Sequence, residues 1–194
     1  MGRRRKIAEK LLERRLNGVT VVAEAVNRRH NMSAVLRSAE GFGLHTAHMV
    51  CNSFRPSVGA AKGSERWLEL ELHKTTTECI TVLRERGFKI YVCDLDDNAL
   101  CPQDVPVDQP IALLFGSESS GVSPEARALA DGFVKIPMVG VTQSLNVAAA
   151  AAVVLNHVCA RASKVPANVG ITGEARERFL ARIDDDTKRH VYWA

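Results

Sequence analysis

No stretch of this sequence approaches the ~18 consecutive apolar residues that a membrane-spanning helix needs, so a transmembrane protein is excluded. A secretory signal is missing too: the basic residues 3–6 run into a charged segment, 7–16, instead of an apolar core. The start also lacks the Ser or Thr that a myristoylation motif places at its sixth position. Cysteine is scarce and odd in number: Cys51, Cys79, Cys93, Cys101 and Cys159 contain no C-x-x-C pair. That argues against a disulfide framework and against a structural zinc site, and the expected setting is reducing and cytoplasmic. What remains, 46% hydrophobic and 25% charged residues in 194, is ordinary for one soluble globular domain with a sizeable core.

Positive charge is concentrated at the two ends. Residues 1–16 hold seven basic side chains (Arg3, Arg4, Arg5, Lys6, Lys10, Arg14 and Arg15) against Glu9 and Glu13, a net of +5. The body, 17–160, is mildly acidic at −3, and residues 161–194 return to +2. Basic ends on an acidic body fit a polyanionic partner, because phosphate contacts gain affinity by releasing counterions. A solvated charged helix is the alternative that charge alone leaves open.

Residues 3–16 have amphipathic helical spacing, with Ile7, Leu11, Leu12 and Leu16 on one side. After Asn17-Gly18 the β-branched segment 20–26 reads as a strand, and 31–42 as a helix stopped by glycine. Further strands are expected at 47–50, 67–72, 88–93, 111–115 and 133–136. Helices are expected at 78–86, 124–130, 147–162 and 174–183, and a small-residue loop at 53–63. Short apolar strands alternating with helices predict an α/β layer structure with a mainly parallel sheet flanked by helices. The expected organisation is a basic N-terminal helix at 1–17, a body at 18–164 and a C-terminal extension with a short helix at 165–194. In such sheets ligands bind at loops beyond the strands' carboxyl ends. The loops 27–37, 116–123 and 137–146 carry the unusual polar residues.

The familiar phosphate-gripping motifs are absent. Gly41-Phe42-Gly43 follows a helix and has Thr46 where a dinucleotide fingerprint has glycine. Residues 59–64 lack the Gly-Lys-Ser/Thr of a phosphate loop, and 116–121 miss the G-x-S-x-G elbow by register. A nucleotide-binding type of sheet without these motifs favours a nucleotide-like ligand lacking a bound phosphate, of which S-adenosylmethionine is the commonest.

Three segments, in order, carry a resemblance. They are residues 27–37 (NRRHNMSAVLR), residues 114–123 (LFGSESSGVS) and residues 136–147 (IPMVGVTQSLNV), with 63–67 (GSERW) as a connector. The chain is similar over about residues 18–160 to the SpoU/TrmH family of SPOUT RNA 2′-O-ribose methyltransferases. The resemblance implies a deep C-terminal trefoil knot, S-adenosylmethionine as cofactor, and a homodimer with its active site at the subunit interface. The implied reaction is methyl transfer to a ribose 2′-hydroxyl of tRNA or rRNA. A short basic helix in place of a separate RNA-binding domain favours tRNA, at a D-loop guanosine. The sparse basic residues after 160 keep rRNA as the alternative, with a catalytically silent RNA-binding protein behind it.

The resemblance assigns roles residue by residue. Arg37 matches the catalytic arginine, acting either as a base polarised by the RNA phosphate or as a charged clamp for phosphate and developing alkoxide. A guanidinium normally stays protonated, which makes the first role demanding. Asn31, expected to begin the helix, orients Arg37 and caps the helix. Glu118, Ser144 and Asn146 complete the catalytic set. Cofactor contacts fall on Leu114, Gly116, Gly121, Ile136, Met138, Ser144 and Leu145, with Cys93 where relatives often have Thr; Cys offers only a weak hydrogen bond there. RNA phosphates are expected at Arg3, Arg4, Arg5, Lys6, Arg28 and Arg29. No metal ligand is assigned, and none of the six histidines has a role.

Overall fold

The computed structural model describes residues 3–24, 29–117 and 120–185. Six strands form one parallel sheet: β1 (Val19–Glu24), β2 (Thr46–Val50), β3 (Glu69–His73), β4 (Lys89–Cys93), β5 (Ile111–Phe115) and β6 (Gly132–Val134), in the order β3-β2-β1-β5-β4-β6. β1 and β5 are buried along their whole length, as expected for central parallel strands covered on both faces. The chain runs outward from β1 to β3, then returns to lay β5 between β1 and β4. This reversal of direction puts the carboxyl ends of β4, β5 and β6 beside one another.

Strand alternation divides the core in two. On one face Val21, Ala23, Leu113 and Phe115 pack with α2 (Arg29–Gly41), through Met32, Val35, Leu36 and Ala39, and with α6 (Val147–Ala162), through Ala151, Val154, Leu155 and Val158. On the other face Val22, Ile90, Val92, Ala112 and Leu114 pack with α4 (Thr76–Glu85), through Cys79, Ile80 and Leu83, and with Ala126 of α5 (Pro124–Ala128). Each large apolar side chain taken fully from water contributes about 1.5–3 kcal/mol, so these two layers dominate stability. A short helix, α3 (Val58–Ala61), interrupts the segment expected to be loop, and Ser64–Trp67 forms a 3₁₀ turn before β3.

The two ends of the chain, which the sequence presents as separate appendages, pack on each other. α1 (Arg3–Leu12) and α7 (Gly173–Asp184) share a third cluster, with Ala8, Leu12, Ile171, Phe179, Leu180 and Ile183 buried. α1 stops at Leu12, four residues short of the expected end, because the chain turns inward at Arg15. That residue, counted above with the basic arm, is 0% exposed. Its guanidinium donates to the Leu44 carbonyl at 2.5 Å, the Trp67 carbonyl at 2.9 Å, the Glu40 carbonyl at 3.1 Å and the Glu40 carboxyl at 2.9 Å. Arg15 is a structural anchor and is removed from any phosphate-binding surface.

Candidate active site

A cleft of about 570 Å³ opens at the carboxyl ends of β4, β5 and β6. This lies within the ~300–1,000 Å³ of small-ligand sites. Its floor includes Cys93, Phe115 and Val134; one wall is the loop after β5 (Gly116, Ser117, Gly121, Val122), and the other is the segment from Lys135 to the start of α6. Of the residues singled out from sequence, Cys93, Gly116, Gly121, Ile136, Met138, Ser144, Leu145 and Asn146 line this cleft together. Burial pushes the Cys93 thiol well above the ordinary cysteine range, leaving it protonated and inert.

The glycines are needed where they stand. Gly121 has φ +67, and a Cβ on Gly116 would lie 2.3 Å from the Gly121 carbonyl oxygen. Asn146 caps α6, its side chain accepting a hydrogen bond from the Ala148 N–H at 2.9 Å, and also lines the cleft. The capping and site positions therefore coincide, and a cap of this kind stabilises a helix by about 1 kcal/mol.

Other expectations are placed differently. Leu114 does not line the cleft: side chains alternate along β5, so Phe115 faces it while Leu114 is fully buried in the layer beneath α4. Asn31 lies inside the first turn of α2, which begins at Arg29, so it is not the cap; the residue is 8% exposed. Arg37 is exposed on α2 and belongs to a separate groove of about 340 Å³, lined also by Ile7, Leu11, Glu40, Ala61, Lys62, Gly63, Ser64 and Trp67. One chain by itself does not bring Arg37 into the cleft. Arg28 and Glu118 lie outside the described residues. Arg3, Lys6 and Arg29 are exposed, whereas Arg4 lies over the Trp67 ring at 5.8 Å and Arg5 pairs with Glu9 and Asp184.

Sequence reasoning missed Asp94, Leu95, Lys135 and Gln143 in the cleft lining. The acidic cluster right after β4 was a usable signal, since it sits at a strand's carboxyl end. Arg127 pairs with Asp94 and, at 2.9 Å, with Asp96, while Lys135 donates to the Asp96 carbonyl at 2.9 Å. Among the described residues, His48, His73 and Cys79 bring their donor atoms within 4.8 Å of one another. None lines the cleft. The two imidazoles are 3.1 Å apart, burial holds both on the neutral side of the ordinary histidine range, and burial pushes the Cys79 thiol up to about 12. The imidazole pair thus satisfies its own hydrogen bond in the core.

The SpoU rRNA Methylase family matches residues 18–156. The chain belongs to that family. It is 44% identical over 158 residues to the tRNA (guanosine(18)-2′-O)-methyltransferase of Thermus thermophilus, covering 79% of each chain. It is 37% identical over 147 residues to the enzyme of the same name from Escherichia coli, covering 75% of this chain and 64% of that one. The crystal structure of the A. aeolicus TrmH/SpoU tRNA modifying enzyme superposes with a TM-score of 0.84 at 27% identity, over 93% of this chain and 94% of that one.

Proposed function

We propose that this SpoU-family protein is an S-adenosylmethionine-dependent RNA 2′-O-ribose methyltransferase acting on the D-loop guanosine of tRNA, position 18, as the Thermus and Escherichia relatives are named. The observation that carries the reading is the cleft itself. Eight of the residues assigned from sequence line one pocket at the strands' carboxyl ends, beside a loop in which backbone fills the Cβ position of Gly116.

The residues fit the cofactor. Leu95, Ile136, Leu145 and Val154 supply apolar walls for a purine, and the backbone after β5 approaches without side chains at Gly116 and Gly121. When bound, S-adenosylmethionine supplies a methyl group activated by its sulfonium. Ser144 and Asn146 hold and orient the groups beside it. Arg37 grips the RNA phosphate and stabilises the ribose 2′-oxygen while the hydroxyl proton passes to solvent water. Asn31, six residues earlier on α2, orients Arg37, and Glu118 belongs to the same set.

Since Arg37 lies outside its own chain's cleft, the reading includes a homodimer in which one protomer's Arg37 faces the partner's cleft. The exposed apolar residues Leu95, Met138, Val139, Val141 and Leu145 support it, because apolar surface of this kind marks an interface. The threading of the chain after β5 into a knot belongs with this reading. So does the division into a basic N-terminal helix at 1–17, a methyltransferase body at 18–164 and a C-terminal extension at 165–194, working in the cytoplasm. Among the described residues no helix is long and apolar enough to cross a membrane. Arg3, Lys6, Arg28 and Arg29 supply the phosphate contacts, Arg4 being held over Trp67 and Arg5 by Glu9 and Asp184.

Transfer of labelled methyl groups to purified tRNA and rRNA tests the function. The expected result is incorporation into tRNA without added metal, lost when the ribose at guanosine 18 is 2′-deoxy. Incorporation into rRNA alone, or none into either, contradicts it.

A further inference from the structure

The loop that walls the cleft is closed on itself. Ser117 and Gly121 exchange backbone hydrogen bonds, 2.9 Å in each direction, and Gly116 is pressed against the Gly121 carbonyl. These contacts give the loop its shape but not its place against the sheet. Place is set at the two ends. The first end is carried by β5 in the middle of the sheet. The second, at Ser123, is carried by a side chain from another strand.

That side chain is Glu24, the last residue of β1, 2% exposed. One of its carboxyl oxygens accepts the Ser123 N–H at 2.8 Å; the other accepts the Ser123 hydroxyl at 2.6 Å and the Thr76 hydroxyl. Ser123 Oγ in turn accepts the Ala126 N–H at 3.0 Å, capping α5. A single buried carboxyl group therefore joins the end of β1, the start of α4 and the far end of the cleft loop. Neither Glu24 nor Ser123 lines the cleft, so any effect on a ligand there passes through the loop.

We infer that Glu24 is a positioning residue for the cofactor: through Ser123 it holds Gly116, Ser117, Gly121 and Val122 at the separation from the opposite wall that S-adenosylmethionine requires. The inference rests on the cleft being the S-adenosylmethionine site. A glycine-containing loop released at one end gains conformations that binding must then remove, and affinity falls without any lost contact to the ligand. Thr76 provides the internal control. Its hydroxyl bonds the same carboxyl group but belongs to α4, not to the cleft loop. Removing it disturbs the same buried site and leaves the Ser123 hydrogen bonds in place.

The test is calorimetric titration of the full-length protein with S-adenosylmethionine, at a temperature where circular dichroism reports each variant folded. Glu24→Ala is expected to weaken binding about tenfold or more, and Ser123→Ala, which keeps its N–H, at least about threefold. Ser123→Thr keeps the hydroxyl and restores affinity. Glu24→Gln stays within about threefold of wild type, because its carbonyl still accepts the Ser123 N–H while its amide donates to the two hydroxyls. Thr76→Val lowers the melting temperature and leaves affinity unchanged. Should Glu24→Ala fail to fold, Ser123→Ala decides the matter. Wild-type affinity in Ser123→Ala, or a loss in Thr76→Val as large as in Glu24→Ala, overturns the positioning role. Failure of the wild-type protein to bind S-adenosylmethionine instead removes the cleft reading, and the positioning role with it.

Discussion

The cleft beyond β4–β6 and the groove around Arg37 are made of different materials. The cleft is walled by backbone, glycine and apolar side chains with polar groups set among them, its loop closed by its own hydrogen bonds and its helix capped by Asn146. The groove is a surface of long side chains, Arg37, Lys62 and Glu40 among them, against a half-buried Trp67 and the apolar edge of α1. A small rigid ligand is best met by a preformed shape, which a single chain can complete. A polyanion is met by exposed cations that order on contact, and here they await a second surface.

The most severe way to sharpen that contrast is Arg37→Ala. Methyl transfer should fall by about three orders of magnitude or more, while S-adenosylmethionine affinity measured by calorimetry stays at the wild-type value. Arg37→Lys should be nearly as damaging, because the planar two-pronged donor is lost even though the charge is kept. Equal loss of cofactor affinity in Arg37→Ala would merge the two regions into one site.

The groove side also rests on buried charge. His45, 4% exposed beside Phe179, is pushed down to about 4, first by burial and then by Arg15, Arg182 and Arg178; Glu69 Oε2, 3.6 Å from its Nε2, does not offset them. The folded ring stays neutral to about pH 4, while the unfolded one takes a proton near 6.5. Its contribution to stability is therefore whole above pH 6.5 and is lost as the pH falls toward 4, up to about 3 kcal/mol. His48, also pushed down to about 4, adds to the same acid limb. Urea denaturation of wild type and His45→Leu between pH 7 and 4.5 isolates the His45 share, with the variant expected to lose less on acidification. Parallel curves would remove this account of His45.

Gly116→Ala probes the cleft alone. The new methyl would meet backbone, the Gly121 carbonyl, so the loop must shift. Cofactor affinity is expected to drop about tenfold, with RNA affinity unchanged. The smallest effect belongs to the arm: Arg3, Arg4, Arg5 and Lys6 changed to Gln. Arg5 is engaged by Asp184 and Glu9, and Arg4 by Trp67. The plot of log affinity against log salt should therefore flatten by about two instead of four, with cofactor affinity unaltered. An unchanged slope in filter binding would make α1 a packing element only.

Much of this architecture was legible in the sequence, because strand and helix periodicities differ and glycine marks their ends. The strand expected at 67–72 begins at Glu69 because Trp67 closes a 3₁₀ turn, and α3, at four residues, is too short for periodicity to reveal. A basic residue in an amphipathic pattern reads as solvated, so the burial of Arg15 was invisible. The cleft residues could be gathered in advance because the resemblance to the SpoU/TrmH motifs assigned them residue by residue. Glu24 could not: its partner Ser123 is 99 residues away, and nothing local distinguishes a buried acid from an exposed one. The separation of Arg37 from the cleft is likewise a fact of tertiary packing. It belongs to no motif.

The claim that the cleft and Arg37 act from different copies of the chain is tested most directly by mixing two impaired variants, Arg37→Ala and Gly116→Ala, at limiting S-adenosylmethionine and allowing subunits to exchange. A mixed dimer then holds one site with an intact cleft facing an intact Arg37. The account predicts that the equimolar mixture recovers about a quarter of the wild-type methyl transfer rate to tRNA. A mixture no more active than its two components, after exchange has been verified, would place both groups in the same chain's site and contradict it.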